Sequence, residues 1–545
     1  MAQTILRGNL SVVGFPFVSE FGGRSVVIPQ LDENYLPKAI NSTTGDSDHD
    51  RGIPQISYGH NIVPVGQGYK SVAYNAVVGP VVGHTDFIKT QVVRDSAGNK
   101  ALLGFTSAGG IYMLASSVVS WTPIVIAGWT GDNPVTFAFC NGNTYVCLQG
   151  LGIYLVVITA PGLTLQVFTG ITAANMLGIC DSNNYLICFD SQVIYWSSTT
   201  NVLDFVPSLI TGAGSATPND LSGLIILVAG LNNGFVIYSS ACPIVASYSG
   251  NTNYPWIFRS AAFGAGLTNE DNVTQGDGLG FHWAWTTAGL IKVTSGSGCS
   301  QEFPELTDFL AGKIYEDYDT GTKTFTRTYL GARLAVRLAF IGSRYLVISY
   351  GLVDEQYTYA LVYDTAFSRW GKLKINHVSC FELGVNTTGG VIPYTTLAGT
   401  LYSAYTTTPY TLLTGMSNLA ADAKSDMAFL QADGTVQLAD FSFGNYDSDA
   451  VLMLGKFELN RNQLCTLEQF DVEGVDAANS NFDVSILYTI DGSNYLPYTI
   501  PTPEITQGRL RKFNMRVTGM NHSVCCHGAF HVTSTVFAFS QHGRR

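Results

Sequence analysis

Four segments of this chain share one pattern: an apolar run, a short turn, and a second run containing Ile-Tyr. They read ALLGFTSAGGIYMLA (101–115), TYVCLQGLGIYLVV (144–157), YLICFDSQVIYWSS (185–198) and LIILVAGLNNGFVIYSS (224–240). Their tyrosines, Tyr112, Tyr154, Tyr195 and Tyr238, follow one another at intervals of 42, 41 and 43 residues. Runs of about six residues rich in Ile, Val, Leu and Tyr suit buried strands and are too short for stable helices. A period in the low forties, with one hairpin per unit and a further strand pair between, predicts successive blades of a β-propeller. Packing blades side by side buries both faces of each sheet, which accounts for continuous apolar runs where a half-exposed sheet would alternate.

Later units are looser: HWAWTTAGLIKVT (282–294), RYLVISYG with YTYALVYDTAFSRWGKL (344–373), TLAGTLYSAY (396–405) and AFLQADGTVQLADF (428–441). Six to eight blades are expected, with insertions. FPELTDFLAGKI (303–314) and NLAADAKSDMA (418–428) are helix candidates. From Val451 longer strand-like runs, with a hairpin turn at Asp491-Gly492, predict a separate sandwich-like sheet domain. The expected division is an irregular arm over 1–90 that supplies closing strands to the ring, an all-β propeller over 91–445, and a C-terminal β domain over 446–545.

Only 12% of the 545 residues are charged, about half the usual share. So little solvating charge suggests a surface covered by partner subunits. The net charge is −12, yet the stretch from Ile505 onward has no carboxylate and carries Arg509, Arg511, Lys512, Arg516, Arg544 and Arg545, leaving −18 on the rest. An acidic body argues against gripping DNA through its phosphates. The basic end reads either as a solvated strand face or as a docking surface for an acidic neighbour.

The ten cysteines show neither CxxC pairs nor zinc-like spacing and are read as buried thiols, with Cys525 and Cys526 on opposite faces of a strand. The opening MAQTILRGNLSVV, with Arg7 and no sustained apolar core, does not read as a secretory leader. The apolar run GLIILVAGL (223–231) is too short to span a bilayer. Folding in the cytosol is expected.

Reactive chemistry is sought without success. Ser197 and Ser198, with Asp204 six residues beyond, suggest a nucleophile, but YSS recurs at 238–240 and no G-x-S-x-G occurs, so the serines read as turn hydrogen-bonders. His282 reads as a structural residue. Asp46, Asp48 and Asp50 resemble the start of a calcium loop, but the glycine comes one place late and the closing position is Ser57. Asp319 and Gly321 resemble a single copy of the Asp-box turn of sialidase propellers. TQGDGLGFHW lies between strands and does not match a nucleotide-binding loop. No catalytic, cofactor or metal residue is assigned, and no enzymatic activity is expected. A carbohydrate- or receptor-binding propeller, or a propeller glycosidase, is the alternative.

Several segments together resemble the β-propeller tail proteins of short-tailed bacteriophages, the nozzle or tail tubular B proteins and relatives that stabilise packaged DNA. They are PQISYGHNIVPVGQGYKSVAYN (54–75), IYWSSTTNVLDFVPSLITGAGS (194–215), GFVIYSSACPIVASYSGNTNYPWIFRSAAFGAG (234–266) and VTSTVFAFSQHGRR (532–545). The loop after Ser198 departs from the family in lacking prolines and acidic residues before Asp204-Phe205. The resemblance implies a virion tail component assembled in the host cytoplasm: a homohexameric ring below the portal and adaptor, meeting head-to-tail connector proteins and fibres or spikes. Viral DNA would be retained by, and ejected through, its channel without sequence-specific binding. Six copies at −12 would carry −72, a wall that repels phosphate.

Overall fold

The computed structural model describes residues 3–7, 10–16, 39–41 and, with short interruptions, 56–383, 427–440 and 449–541. Within them the chain builds a ring of antiparallel sheets. The first four each have four strands in sequence order: Phe87–Arg94 to Thr122–Ile124, Val135–Cys140 to Gly162–Leu165, Gly178–Ser182 to Gly214–Ala216, and Ile225–Leu231 to Trp256–Ser260. The fifth has three, from Phe281–Thr286 to Cys299–Gln301, and the sixth starts at Ala335–Ile341 and reaches Arg369–His377. The seventh takes Ser379–Glu382, Met427–Leu430 and Val436–Asp440 from one end of the ring, and Ala73–Val78 from the other. This last pairing closes the circle, because the strand preceding the first blade becomes the outer strand of the last. The chain is a seven-bladed β-propeller.

Seven apolar clusters fill the seven gaps between blades. The gap between first and second holds Phe105 and Val146, the next Cys147 and Ile179, and the third Ile187 and Ile237. The circuit continues through Tyr238 with Ile291, Trp285 with Leu346, and Val347 with Phe429, and ends on Leu430 with Leu102. Each such side chain, fully withdrawn from water, contributes about 1.5–3 kcal/mol. A single blade could bury neither face alone.

The tyrosine repeat needs one correction. Tyr112, Tyr154 and Tyr195 all lie in the third strand of their blades and face the gap before it. Tyr238 lies in the second strand of the fourth blade and faces the gap after it. The fourth segment is the hairpin of strands one and two, whereas the other three are hairpins of strands two and three. Hairpins buried on both faces look alike in sequence whichever pair they join, so the even spacing conceals a shift of one strand.

Pro304–Leu310 is helical and sets Leu306 and Leu310 into the gap between fifth and sixth blades. Of the second helix candidate, Met427 and Ala428 belong to a strand, and 418–426 lie outside the described residues. The TLAGTLYSAY unit and Asp491-Gly492 also lie outside them.

The C-terminal strands form two sheets around one core that includes Leu467, Phe470, Val484, Phe513, Cys526 and Phe537. The N-terminal segment adds to both. Gln3–Arg7 and Leu10–Pro16 extend the sheet of Ser534–Gln541, while Ala39–Asn41 and Ile56–His60 flank Val451–Glu458. Cys526 faces this core and Cys525 a small cluster on the other side. All ten cysteines are free thiols.

Sandwich and propeller share a sheet. The sixth blade continues from Arg369–His377 into Ile62–Val65, Gly68–Ser71 and His531–Val532. Along Ile62–Val65 alternate side chains serve the two bodies: Ile62 enters the sandwich core, and Val63 and Val65 enter the gap between sixth and seventh blades. Ser71 Oγ donates to Phe530 O at 3.2 Å and accepts from Phe530 N at 3.0 Å.

Candidate functional site: the bore of the propeller

The innermost strand of each blade pairs with a strand of its sheet on one side only, so its other edge presents peptide groups that need partners. Side chains from neighbouring blades supply several. Thr136 Oγ1 accepts from Ile179 N at 2.8 Å, and Asp181 Oδ1 accepts from Phe139 N at 2.9 Å. Thr144 Oγ1 accepts from Arg94 N and donates to Arg94 O. His282 Nε2 bonds Gly230 O at 2.7 Å, and burial pushes this imidazole down to about 4, so the neutral ring donates there. Arg337 Nη1 donates to Ile88 O at 2.8 Å and Val378 O at 2.7 Å, joining the sixth blade to the strands on either side of the closure.

The segment between the fourth and fifth blades lines the bore with Glu270, Asp271 and Val273. Leu267 and Val273 bridge to Thr286 and Ala284 of the fifth blade's inner strand, and between them Glu270–Asn272 makes a 3-10 turn. Asn269 caps this turn by accepting from Asp271 N at 3.1 Å. Asp271 Oδ1 lies 3.0 Å from Lys89 Nζ and 2.9 Å from Arg337 Nη2, with Glu270 4.0 Å from Lys89. Burial alone would raise the Asp271 carboxyl, but the Arg337 and Lys89 charges outweigh it and hold the group below the usual carboxylate range. A carboxylate so engaged is neither a proton donor nor a free nucleophile. Above it is a cavity of about 650 Å³, lined by the inner strands of six blades.

The serine pair is part of the scaffold. Ser197 Oγ accepts from Leu186 N at 3.0 Å, Ser198 N donates to Asp204 O at 2.7 Å, and Ser198 Oγ bonds Thr200 Oγ1. Asp204 Oδ1 accepts from Thr169 Oγ1 and Val206 N. Ser239 Oγ, in the YSS copy, accepts from Ala241 and Cys242 N and donates to Ser222 O and Cys242 O. Asp319 ends the strand Tyr315–Asp319, whereas Gly321 and Asp46, Asp48 and Asp50 lie outside the described residues. Among the described residues no group of three or more His, Cys, Asp or Glu could hold a metal ion, and no helix is long and apolar enough to cross a membrane. The Lys89–Asp271–Arg337 cluster has no sequence signature, because its members come from three distant segments.

No family model matches the chain, and no curated protein matches it. Among solved structures it is similar to the WD40 β-propeller domain of Doa1, with TM-score 0.37, 9% identity, and coverage of 68% of this chain and 98% of that one. It is also similar to YCF48 from Cyanidioschyzon merolae, with TM-score 0.37, 11% identity, and coverage of 68% and 99%.

Proposed function

We propose that this chain is a structural subunit of a short-tailed phage tail, a nozzle-type protein that assembles as a ring of six and guides DNA, and that it catalyses no reaction. The observation carrying this reading is where the resembling segments fall. Residues 54–75 supply the shared sheet between propeller and sandwich together with part of the closing strand, 194–215 and 234–266 build the third and fourth blades, and 532–545 contribute the sandwich strand Ser534–Gln541. The resembling segments therefore fall on the sheet shared by the two parts, on two blades and on a sandwich strand.

The shape of the bore refines the proposal. A cavity of about 650 Å³, lined by Lys89, Asp271 and Arg337 among others, is too small for a duplex whose major groove alone is about 12 Å wide. The DNA conduit therefore lies between copies, on surfaces outside each propeller's own bore. Exposed apolar side chains on the outer parts of the second to fourth blades, Val167, Leu209, Ile210 and Tyr254 among them, fit a surface that other subunits cover. Native mass spectrometry of the full chain, alone and with the tail adaptor, tests the reading: six copies in one particle are expected, and a chain that stays monomeric in both conditions overturns it.

A further inference from the structure

The mouth of the bore carries a charge arrangement that the scaffold does not use. Arg94 and Lys100 are direct partners across the first hairpin of the first blade, and both line the cavity. Directly opposed side chains stand about 4.5–5.5 Å apart at Cβ, and like charges so placed destabilise the sheet. Neither cation has an ion-pair partner among the described residues. The adjacent acid, Asp95, is spent on its own turn, accepting from Ala97 N, Asn99 N and Asn99 Nδ2. Lys89 and Arg337, on the same cavity, are by contrast neutralised by Asp271 and Glu270. Arg94 is exposed and Lys100 half-buried, so both cationic heads reach solvent on the cavity and are placed to take an anion.

The rest of the mouth narrows the anion. Asp181 uses Oδ1 for Phe139 N, leaving its other oxygen for a ligand hydroxyl, and Asn183 and Asn232 add amides. The Phe139 ring, 45% exposed at the rim, offers a flat apolar surface. Asp181 together with Glu382 disfavours a polyanion. A volume of about 650 Å³ lies within the usual range for small-ligand sites, about 300–1,000 Å³.

We propose that this mouth binds a hydroxylated carboxylate of sugar size, a uronic acid, with the carboxylate between Arg94 and Lys100 and the pyranose face on Phe139. The site is independent of whether the chain forms a ring.

Ligand-observed NMR titration of the full-length protein with galacturonate, galactose and inorganic phosphate at matched ionic strength tests this. Saturable binding of galacturonate alone is expected, weakened about tenfold in R94Q and in K100Q, the loss of one charge-assisted contact. The ligand-free variants should melt no lower than the parent, because each relieves a like-charge pair; this keeps the binding result separate from folding. Absence of galacturonate binding, equal binding of galactose or phosphate, or unchanged affinity in both variants would overturn the proposal.

Discussion

Asp271 Oδ1 stands 2.9 Å from Arg337 Nη2, and the same oxygen takes Lys89 Nζ at 3.0 Å, so one carboxylate ties the turn before the fifth blade to the inner strands of the sixth and first. Removing one partner of a buried ion pair leaves the others uncompensated, typically at about 3–5 kcal/mol. Asp271→Ala should cost about that much in denaturant-induced unfolding. Arg337→Met in the Asp271→Ala background should recover part of it and not all, because Arg337 also serves Ile88 O and Val378 O. Full recovery would show that those carbonyl bonds add nothing.

Three buried histidines set an acid limit. Burial lowers His282, His377 and His522 from 6.5 to about 4. The unfolded chain takes up these protons near 6.5 and the folded chain only near 4, so the unfolded state binds more protons between those values. Stability should therefore be level above pH 6.5 and fall as pH drops towards 4, by up to about 3 kcal/mol per histidine. His377 accepts from Ser349 Oγ and donates to Ile375 O, and the Arg337 charge adds to burial in disfavouring its protonated form. His282→Gln should flatten the slope measured by urea unfolding at stepped pH; an unchanged slope would remove His282 from the account.

Two glycines with positive φ separate backbone strain from steric clash. Gly234 begins the second strand of the fourth blade at φ +149°, and an added Cβ would meet Ala246 O at 2.0 Å, while Gly98, at φ +82°, has nothing within 4 Å. Gly98→Ala should cost about 1–2 kcal/mol from the left-handed conformation alone. Gly234→Ala should cost at least about 2–4 kcal/mol, because the neighbouring strand must move. Thermal unfolding of the two variants side by side gives the comparison.

Blades one to three were legible in the sequence because their central hairpins combine tight turns with apolar runs, and the tyrosines mark the same strand in each. Tyr238 misled, since a hairpin of strands one and two carries the same apolar signature and the long Ser197–Ala213 connection makes up the spacing. The closing strand Ala73–Val78 could be expected only in general terms. Its pairing with Val436–Asp440 depends on ring geometry, and no local pattern encodes it. Gln3–Arg7 and Ala39–Asn41 were hidden for the same reason, being short strands that acquire meaning only at a sandwich edge supplied by the far end of the chain. The bore cluster was illegible because Lys89, Asp271 and Arg337 are ordinary surface-type residues until seven blades bring them together. The serines of YWSS were read as turn hydrogen-bonders; Ser198 Oγ accepts from Thr200 N in that manner, whereas Ser197 Oγ accepts from Leu186 N on the neighbouring strand.

Electron cryo-microscopy of particles assembled from the full chain tests the central claim most directly. The expected image is a ring of six copies around an opening wide enough for a duplex, with no duplex inside any propeller's own bore. Isolated single propellers, or a ring whose only continuous passage runs through the bore of one chain, would contradict it.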